Sequence, residues 1–228
     1  IMAQELEEFA DVLEQSNDFQ ADLQNLLHDT FKAHQRIIFN GNGYGEDWVQ
    51  EAQRRGLSNL RDTVDCMPAY IDPKNIRLFA GHNILSETEM RARYEIHLEN
   101  YCKVTAIEAS TLRDMVLRGI LPAVNRYTAD LTQAILHKRE LVVPCRVEED
   151  LLQKLSALTG SLYDTMAAIN EAMDKAPDAE GGIDAARYYR EEIVRRMEEA
   201  RQSIDQLESL TAAKYWPYPT YADILFSV

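Results

Sequence analysis

The chain has 228 residues, 46% of them hydrophobic and 27% charged, and a formal net charge of −14. A polypeptide this acidic is repelled by phosphate backbones and by anionic lipid headgroups, so its composition argues against binding to nucleic acids or to membrane surfaces. The three cysteines (Cys66, Cys102 and Cys145) form no C-x-x-C pair, and no apolar run approaches the roughly 18 residues of a transmembrane helix. We therefore expect a cytoplasmic globular protein with reduced thiols.

Helix-forming residues dominate the sequence, which contains 9 glycines and 7 prolines. Strand-like alternation of apolar and polar residues is nearly absent, and this predicts an all-α fold. We expect a single, elongated helical bundle that includes a long antiparallel helical hairpin and ends in an extended aromatic tail. Its four predicted segments are residues 1–85, 86–140, 147–213 and 214–228.

The first segment combines helices with a glycine-rich loop. Apolar residues three or four apart predict a helix over residues 2–38, with SND (16–18) as a candidate break, and the stretch FNGNGYGEDW (39–48) ends it. The glycines of GNGYG (41–45) match neither a dinucleotide-binding loop nor a P-loop, and no strand precedes them. A connection between two helices is the favoured interpretation, and contact with a neighbouring domain is the alternative.

Shorter helices are predicted in three further places: residues 46–56, 59–67 and 72–81. The second is expected to stop before Pro68, and the third to carry Pro73 at its first helical position. SETE (86–89) has the pattern of a capping box, which predicts the start of a long helix that continues to about Glu140. Pro122 lies within this helix and should kink or break it near Leu121.

Two further helices are predicted after residue 146. Apolar residues recur every three or four positions from Val147 to Met173, and again from Ala186 to Leu210. Only the loop KAPDAEGGID (175–184) separates these helices, which have similar lengths. An antiparallel hairpin over residues 147–213 is the expected arrangement.

No combination of residues indicates an active site. None of the five histidines has a glutamate three positions before it, so the Glu-x-x-His signature of helical-bundle metal sites is missing. His97 points to a different face of a helix from Glu95 and Glu99, so these three residues cannot converge on one ion. The acidic row of Glu95, Glu99, Glu108 and Asp114 is typical of a solvated face. We predict no catalytic, cofactor-binding or metal-binding residue in this chain.

The chain ends in KYWPYPTYADILFSV (214–228), which is rich in aromatic residues. Pro217 and Pro219 cannot continue a helix and favour extended backbone, and Thr220 with Asp223 can cap a short final helical turn. Packing of this tail on the chain's own helices is the favoured interpretation. A neighbouring subunit or an absent domain is the main alternative, while the P-x-P spacing fits poorly to the P-x-x-P ligands of SH3-type grooves.

Several stretches, in their order along the chain, resemble the C-terminal region of type III glutamine synthetases. The resemblance extends from about residue 2 to residue 228, with small departures at Cys66-Met67 and Ala106. The stretches include IIFNGNGYGEDWVQEAQRRGL (37–57), RYEIHLENYCK (93–103), IEASTLRDM (107–115) and WPYPTYADILF (216–226), of which the first and the last are the most specific.

This resemblance implies a part of an enzyme that ligates ammonia to glutamate with ATP and Mg²⁺ or Mn²⁺. None of the catalytic motifs of that family is present, so the chain alone is expected to be inactive and its catalytic domain to be absent. The implied partners are that catalytic domain and neighbouring subunits of two stacked hexameric rings, with no nucleic acid and no membrane. A free-standing helical adaptor is the alternative. The residues predicted to contact partners are Gly41, Gly43, Tyr44, Trp48, Trp216, Tyr218, Tyr221 and Phe226.

Overall fold

Every regular element in the computed structural model, which describes residues 1–226, is helical, and this confirms the all-α prediction. The side chains of Tyr221, Ala222 and Phe226 are not among those described. The chain divides into two compact units, Ile1–Met90 and Arg91–Val228.

The first unit is built from short helices. They are α1 (Met2–Glu14), α2 (Phe19–Ala33), α3 (Glu46–Arg54), α4 (Thr63–Tyr70) and α5 (Pro73–Gly81). The candidate break at 16–18 is confirmed, since the Asp18 carboxylate accepts a hydrogen bond of 3.2 Å from the amide of Ala21 and starts α2 anew. The core of this unit is small, with Val64, Met67 and Met90 buried.

The prediction that a helix stops before Pro68 is wrong. Helix α4 begins at Thr63, where the Asp62 carboxylate caps it, and runs through Pro68 to Tyr70. The proline removes one hydrogen bond, the one that would reach the carbonyl of Val64, and the helix ends two residues later. A short helix tolerates this single loss where a long one would be expected to kink.

The second unit contains the long helices. Helix α6 (Glu87–Met115) begins at the end of the first unit, and the capping box predicted at its start is confirmed by reciprocal hydrogen bonds between Ser86 and Glu89. It is followed by α7 (Leu121–Glu140), α8 (Arg146–Asp174), α9 (Gly182–Tyr188), α10 (Arg195–Leu210) and α11 (Tyr221–Phe226). Helix α8 packs against both α7 and α10. The largest fully buried side chains of this unit are Leu98, Cys102, Val116, Val124, Leu155, Leu162, Met166, Ile169, Ile193 and Leu207.

A π-helical turn, Val116–Ile120, joins α6 to α7 at the position where Pro122 was expected to disturb the helix. Its last hydrogen bond runs from the amide of Leu121 to the carbonyl of Val116, five residues back. Pro122 follows as the second residue of α7, and because it has no N–H it donates no hydrogen bond back to the preceding turn. The wider turn thus absorbs the proline without ending the helical path, and such turns often mark functional positions.

Three helices end in the same hydrogen-bonded motif, with Gly56, Asn83 and Val142 at its left-handed position. After α7, the amide of Val143 donates to the carbonyl of Lys138 (2.8 Å) while Val142 adopts φ +57°. This is the Schellman arrangement, in which glycine and asparagine are the usual residues because they accept a positive φ. Valine is β-branched, so its presence there strains the backbone.

Replacing Val142 with glycine is therefore expected to stabilise the protein. The left-handed conformation costs an L-residue about 1–2 kcal/mol, of which the greater flexibility of unfolded glycine offsets about half. The Val142 side chain is 90% exposed, so little packing is lost. We expect the free energy of unfolding to rise by about 0.5–1 kcal/mol in urea denaturation, and the reverse change, Gly56→Val, to lower it. A destabilised Val142→Gly variant would contradict the argument.

Candidate interaction surfaces

The glycine-rich loop is held closed by two aromatic rings at its ends. Phe39 and Trp48 stack with their ring centroids 4.5 Å apart. Between them, the Asn42 side chain accepts a hydrogen bond of 3.0 Å from the amide of Tyr44, which forms a tight turn. The loop is therefore an ordered structure that positions its tip.

The four predicted loop residues have different surroundings. A side-chain carbon added at Gly41 would lie 2.5 Å from the Phe39 ring, so glycine is needed for the loop to close over that ring. Nothing lies within 4 Å of the corresponding position at Gly43, and Tyr44 is fully exposed. Trp48 is held inside the stacked pair. Tyr44 is thus the aromatic residue that the loop presents to solvent.

Arg55, which was not identified from the sequence, holds the backbone before the loop and the two stacked rings together. Its guanidinium donates to the backbone carbonyl of Ile38 at 2.7 Å and lies 5.8 Å from the centroid of the Trp48 ring and 6.0 Å from that of Phe39. Its Nε also donates to Glu51 at 2.5 Å. Arginine favours such sites because it combines stacking on aromatic rings with several fixed donors. The sequence signal was the arginine pair that ends α3, close to two aromatic residues.

Hydrogen bonds from Arg54 and then from Arg55 lower the pKa of Glu51 from its ordinary 4.5 to about 2. A lowered pKa means that this carboxylate supports the loop above about pH 4.5 and that its contribution is lost as the pH falls toward about 2. Replacing Arg54 with alanine is expected to move the Glu51 pKa back toward 4.5 without changing the aromatic stack. Titration of the side-chain carboxyl carbon by NMR measures this directly. An unchanged pKa in the variant would show that Arg54 is not the main cause.

The C-terminal tail lies on helices of its own unit through two tyrosines. The Tyr215 hydroxyl donates to the Asp130 carboxylate, and its ring lies 5.2 Å from that of Tyr127, centroid to centroid. The Tyr218 hydroxyl donates to the carbonyl of Met115 at 3.3 Å, at the entrance to the π-helical turn. The tail therefore crosses the junction between α6 and α7.

Gly119 lets the ring of Tyr218 approach the helix junction closely. A side-chain carbon added there would lie 2.6 Å from the Tyr218 hydroxyl oxygen and 3.1 Å from the adjoining ring carbon. The end of α6 thus offers a hydrogen-bond acceptor, and Gly119 in the π-helical turn leaves the space for an aromatic ring. Of the predicted tail residues, Trp216 and Tyr218 are half-buried, whereas the side chains of Tyr221 and Phe226 lie outside the described part of the chain.

A groove of about 240 Å³ remains between the tail and the helices. Trp216, Tyr218, Pro219 and Ile224 line it from the tail side. The lining residues of the helices are Leu112, Met115, Ile120, Arg201, Ile204, Asp205 and Glu208. The walls are mainly apolar, and the three charged side chains all come from α10.

Two further apolar surfaces were not predicted as sites. At the turn between α7 and α8, the exposed side chains are Leu141, Val142, Val143 and Val147. In the first unit, α2 exposes Phe19, Leu27 and Phe31 along one face, and none of its residues is buried. The sequence signal for the second surface was the apolar spacing itself, which predicted the helix but not whether its apolar face is covered.

Groups that could hold a metal are absent from the described residues, where no three histidine, cysteine, aspartate or glutamate side chains come together. The three cysteines are free. Burial raises the pKa of the Cys102 thiol, and a hydrogen bond to Glu149 raises that of Cys145. Neither thiol is therefore activated as a nucleophile. None of the helices within residues 1–226 is long and apolar enough to cross a membrane.

Comparison with known proteins gives consistent matches. Residues 22–139 match the family described as the glutamine synthetase C-terminal domain. A glutamine synthetase of Butyrivibrio fibrisolvens is 36% identical over 208 residues, which are 90% of this chain and 30% of that protein. A type-3 glutamine synthetase of Dictyostelium discoideum is 31% identical over 211 residues, covering 88% of this chain and 28% of the relative. A glutamine synthetase of Bacteroides fragilis is 29% identical over 208 residues, which are 89% of this chain and 28% of that protein.

Proposed function

Because the chain belongs to the family of glutamine synthetase C-terminal domains, we propose that it is the non-catalytic helical part of a type III glutamine synthetase and contributes to assembly of that enzyme. The chain spans 28–30% of the length of the relatives it matches. The observation that carries the assembly role is the exposed apolar face of α2, in a unit whose core is small.

This face has the character of an interface. Phe31 is 62% exposed, Phe19 53% and Leu27 48%, and their spacing places them on one side of the helix. Single exposed apolar residues are ordinary on a soluble protein, but three large ones on one side of a helix mark a surface that another protein covers. The partner we propose is the catalytic domain of the same enzyme or the neighbouring subunit.

The activity of the whole protein follows from this proposal. It would ligate ammonia to glutamate in the cytoplasm, using ATP and Mg²⁺ or Mn²⁺, in an assembly of two stacked hexameric rings. The catalytic groups would lie outside these 228 residues. Support for this division comes from the share of each relative that the chain matches, which is 28–30% of the relative's length.

The non-catalytic role is tested by assaying the purified chain for γ-glutamyl transferase and ligase activity. We expect no turnover above that of a buffer blank, with or without added Mg²⁺ or Mn²⁺. The full-length enzyme assayed in parallel serves as the positive control. Activity that copurifies with the isolated chain would overturn this part of the proposal.

The assembly role is tested in the full-length enzyme with Phe31→Glu, measured by light scattering after size-exclusion chromatography. A charge on an apolar face that a partner covers cannot be hydrated, so we expect the assembly to dissociate into smaller species. Asn25→Glu is the matched control, because it adds the same charge to the same helix at an exposed position away from the apolar row. If Phe31→Glu and a deletion of residues 147–228 both leave the assembly intact, the chain has no assembly role.

A further inference from the structure

We propose that the glycine-rich loop is a preformed finger (residues 39–48) whose tip, Tyr44, inserts into a pocket on the part of the enzyme that lies outside these 228 residues. The pocket takes a phenol ring and carries positive charge at its rim. This inference rests on the assembly role proposed above, because it names a second contact for that role. The contact lies in the first unit, on a different segment from the face of α2.

The Tyr44 side chain is left entirely in water by its own chain. Its exposed fraction is 102%, the highest among the exposed large apolar and aromatic side chains that the structure describes. A packed aromatic ring buries about 150–250 Å², and tyrosine is one of the residues that contribute most to binding at protein interfaces. A ring that its own fold does not use is therefore available to a partner.

Several interactions hold the finger in shape, and none of them involves the Tyr44 ring. Phe39 and Trp48 close its base with their ring centroids 4.5 Å apart, and Arg55 joins that base to α3. The Asn42 side chain fixes the backbone of the tip by accepting a hydrogen bond of 3.0 Å from the amide of Tyr44. Ordering a loop costs conformational entropy, and a loop that is ordered in advance loses less of it on binding. The finger thus has the construction of a binding loop on a rigid support.

Gly43, beside the tip, has no explanation within the described chain. A side-chain carbon added there would meet nothing within 4 Å, and its φ is not positive, so neither crowding nor backbone conformation requires glycine. Gly41 differs, because the Phe39 ring leaves no space for a side chain there. A residue without a side chain next to Tyr44 lets the walls of a pocket approach the ring closely. We therefore assign Gly43 to the fit between the finger and its partner.

The charges beside the tip define the rim of the pocket. Glu46 and Asp47 are exposed in the first turn of α3, and residues 37–53 contain no lysine or arginine. Complementary charges favour docking and like charges oppose it. The rim of the pocket should therefore carry lysine or arginine, and a second copy of the same finger is a poor partner.

Oxidation by hydroxyl radicals, read out by mass spectrometry, tests whether the ring is covered. We expect Tyr44 to be oxidised readily in the isolated chain and at least about fivefold more slowly in the full-length enzyme, where the ring is buried. Rates are normalised to a free tyrosine peptide added to both samples. Tyr163, which is 60% exposed on α8, reports on any general change in reactivity.

Substitutions in the full-length enzyme test whether the finger contributes to assembly. Tyr44→Ala and Gly43→Ala should each raise, by at least about tenfold, the protein concentration below which the assembly dissociates, as is typical of a central interface residue. Tyr163→Ala is the matched control and should leave that concentration unchanged. In the isolated chain, Tyr44→Ala and Gly43→Ala should not lower the thermal unfolding midpoint, because neither position packs against the described chain.

The charge of the rim is tested separately with Glu46→Lys. This variant should weaken the assembly at low salt, and the difference from wild type should disappear at about 1 M salt, where charges are screened beyond about 3 Å. An assembly that is unaffected at low salt would show that the rim is not positive.

Other outcomes separate the finger from the assembly role itself. If Phe31→Glu dissociates the enzyme while Tyr44→Ala and Gly43→Ala behave like wild type, the assembly role stands and the finger is not part of it. Equal oxidation of Tyr44 in the isolated chain and in the enzyme would show that no pocket covers the ring. Protection that is already present in the isolated chain and is lost on dilution would place the pocket on a second copy of this chain, which overturns the partner proposed here.

Discussion

Replacing Leu162 with alanine is expected to lower the free energy of unfolding by about 3 kcal/mol, within the range of about 2–5 kcal/mol for buried leucines. Leu162 is fully buried on α8, the helix that packs against both α7 and α10. Truncation removes apolar surface from the core and leaves a cavity that packed helices cannot close. A loss of this size is a large part of the stability of an ordinary domain.

Leu136→Ala is the matched control, since it makes the same chemical change on a helix of the same unit where the side chain is 54% exposed. We expect it to cost less than about 1 kcal/mol. Urea denaturation followed by Trp216 fluorescence in a Trp48→Phe background reports on the second unit. Equal effects of the two substitutions would mean that α8 is not the centre of the core.

Periodicity predicted the helices well because burial on one face is a local property of the sequence. Leu155, Leu162, Met166 and Ile169 belong to the row that the spacing defined, and all four are buried. The same row included Val147, which is 74% exposed. Val147 lies in the first turn of α8, beside the exposed turn after α7, so spacing alone could not show that its side chain has no partner there.

Contacts between distant parts of the chain were not predictable in the same way. Tyr215 and Asp130 are 85 positions apart, and Tyr218 and Met115 are 103 apart. Proline spacing indicated that the tail is extended, but no local signal named the acceptors of its hydroxyl groups. The π-helical turn at Val116–Ile120 was likewise missed, although Pro122 located a disturbance close to it.

In the glycine-rich loop, too, the sequence predicted the local turn but not the contact that a more distant residue makes with it. Its glycines predicted a turn, and Gly41 is required there by the Phe39 ring. Arg55 is the residue that joins α3 to the loop backbone, through the carbonyl of Ile38. An arginine at the end of a helix is an ordinary feature of sequences, so its role became visible only once the fold had brought these groups together.

The second large effect is expected at Gly119, where alanine should destabilise the protein although it normally favours helices. Alanine in place of a helical glycine contributes about 1 kcal/mol of stability. At Gly160, in α8, the added carbon meets nothing within 4 Å, so Gly160→Ala should show this gain. At Gly119 the same carbon would lie 2.6 Å from the Tyr218 hydroxyl oxygen, so the ring must move.

Moving that ring breaks the hydrogen bond to Met115 and lifts aromatic surface off the helix junction. The lost hydrogen bond and the lost aromatic packing together should cost more than the higher helix propensity of alanine contributes. We expect the Gly119→Ala variant to be about 2 kcal/mol less stable than the Gly160→Ala variant. A double-mutant cycle identifies the cause: once Tyr218 is alanine, the same change at Gly119 should become as stabilising as the one at Gly160. If Gly119→Ala stabilises the wild-type chain as much as Gly160→Ala does, the tail does not rest on the π-helical turn, and the groove that depends on this contact loses its outer wall.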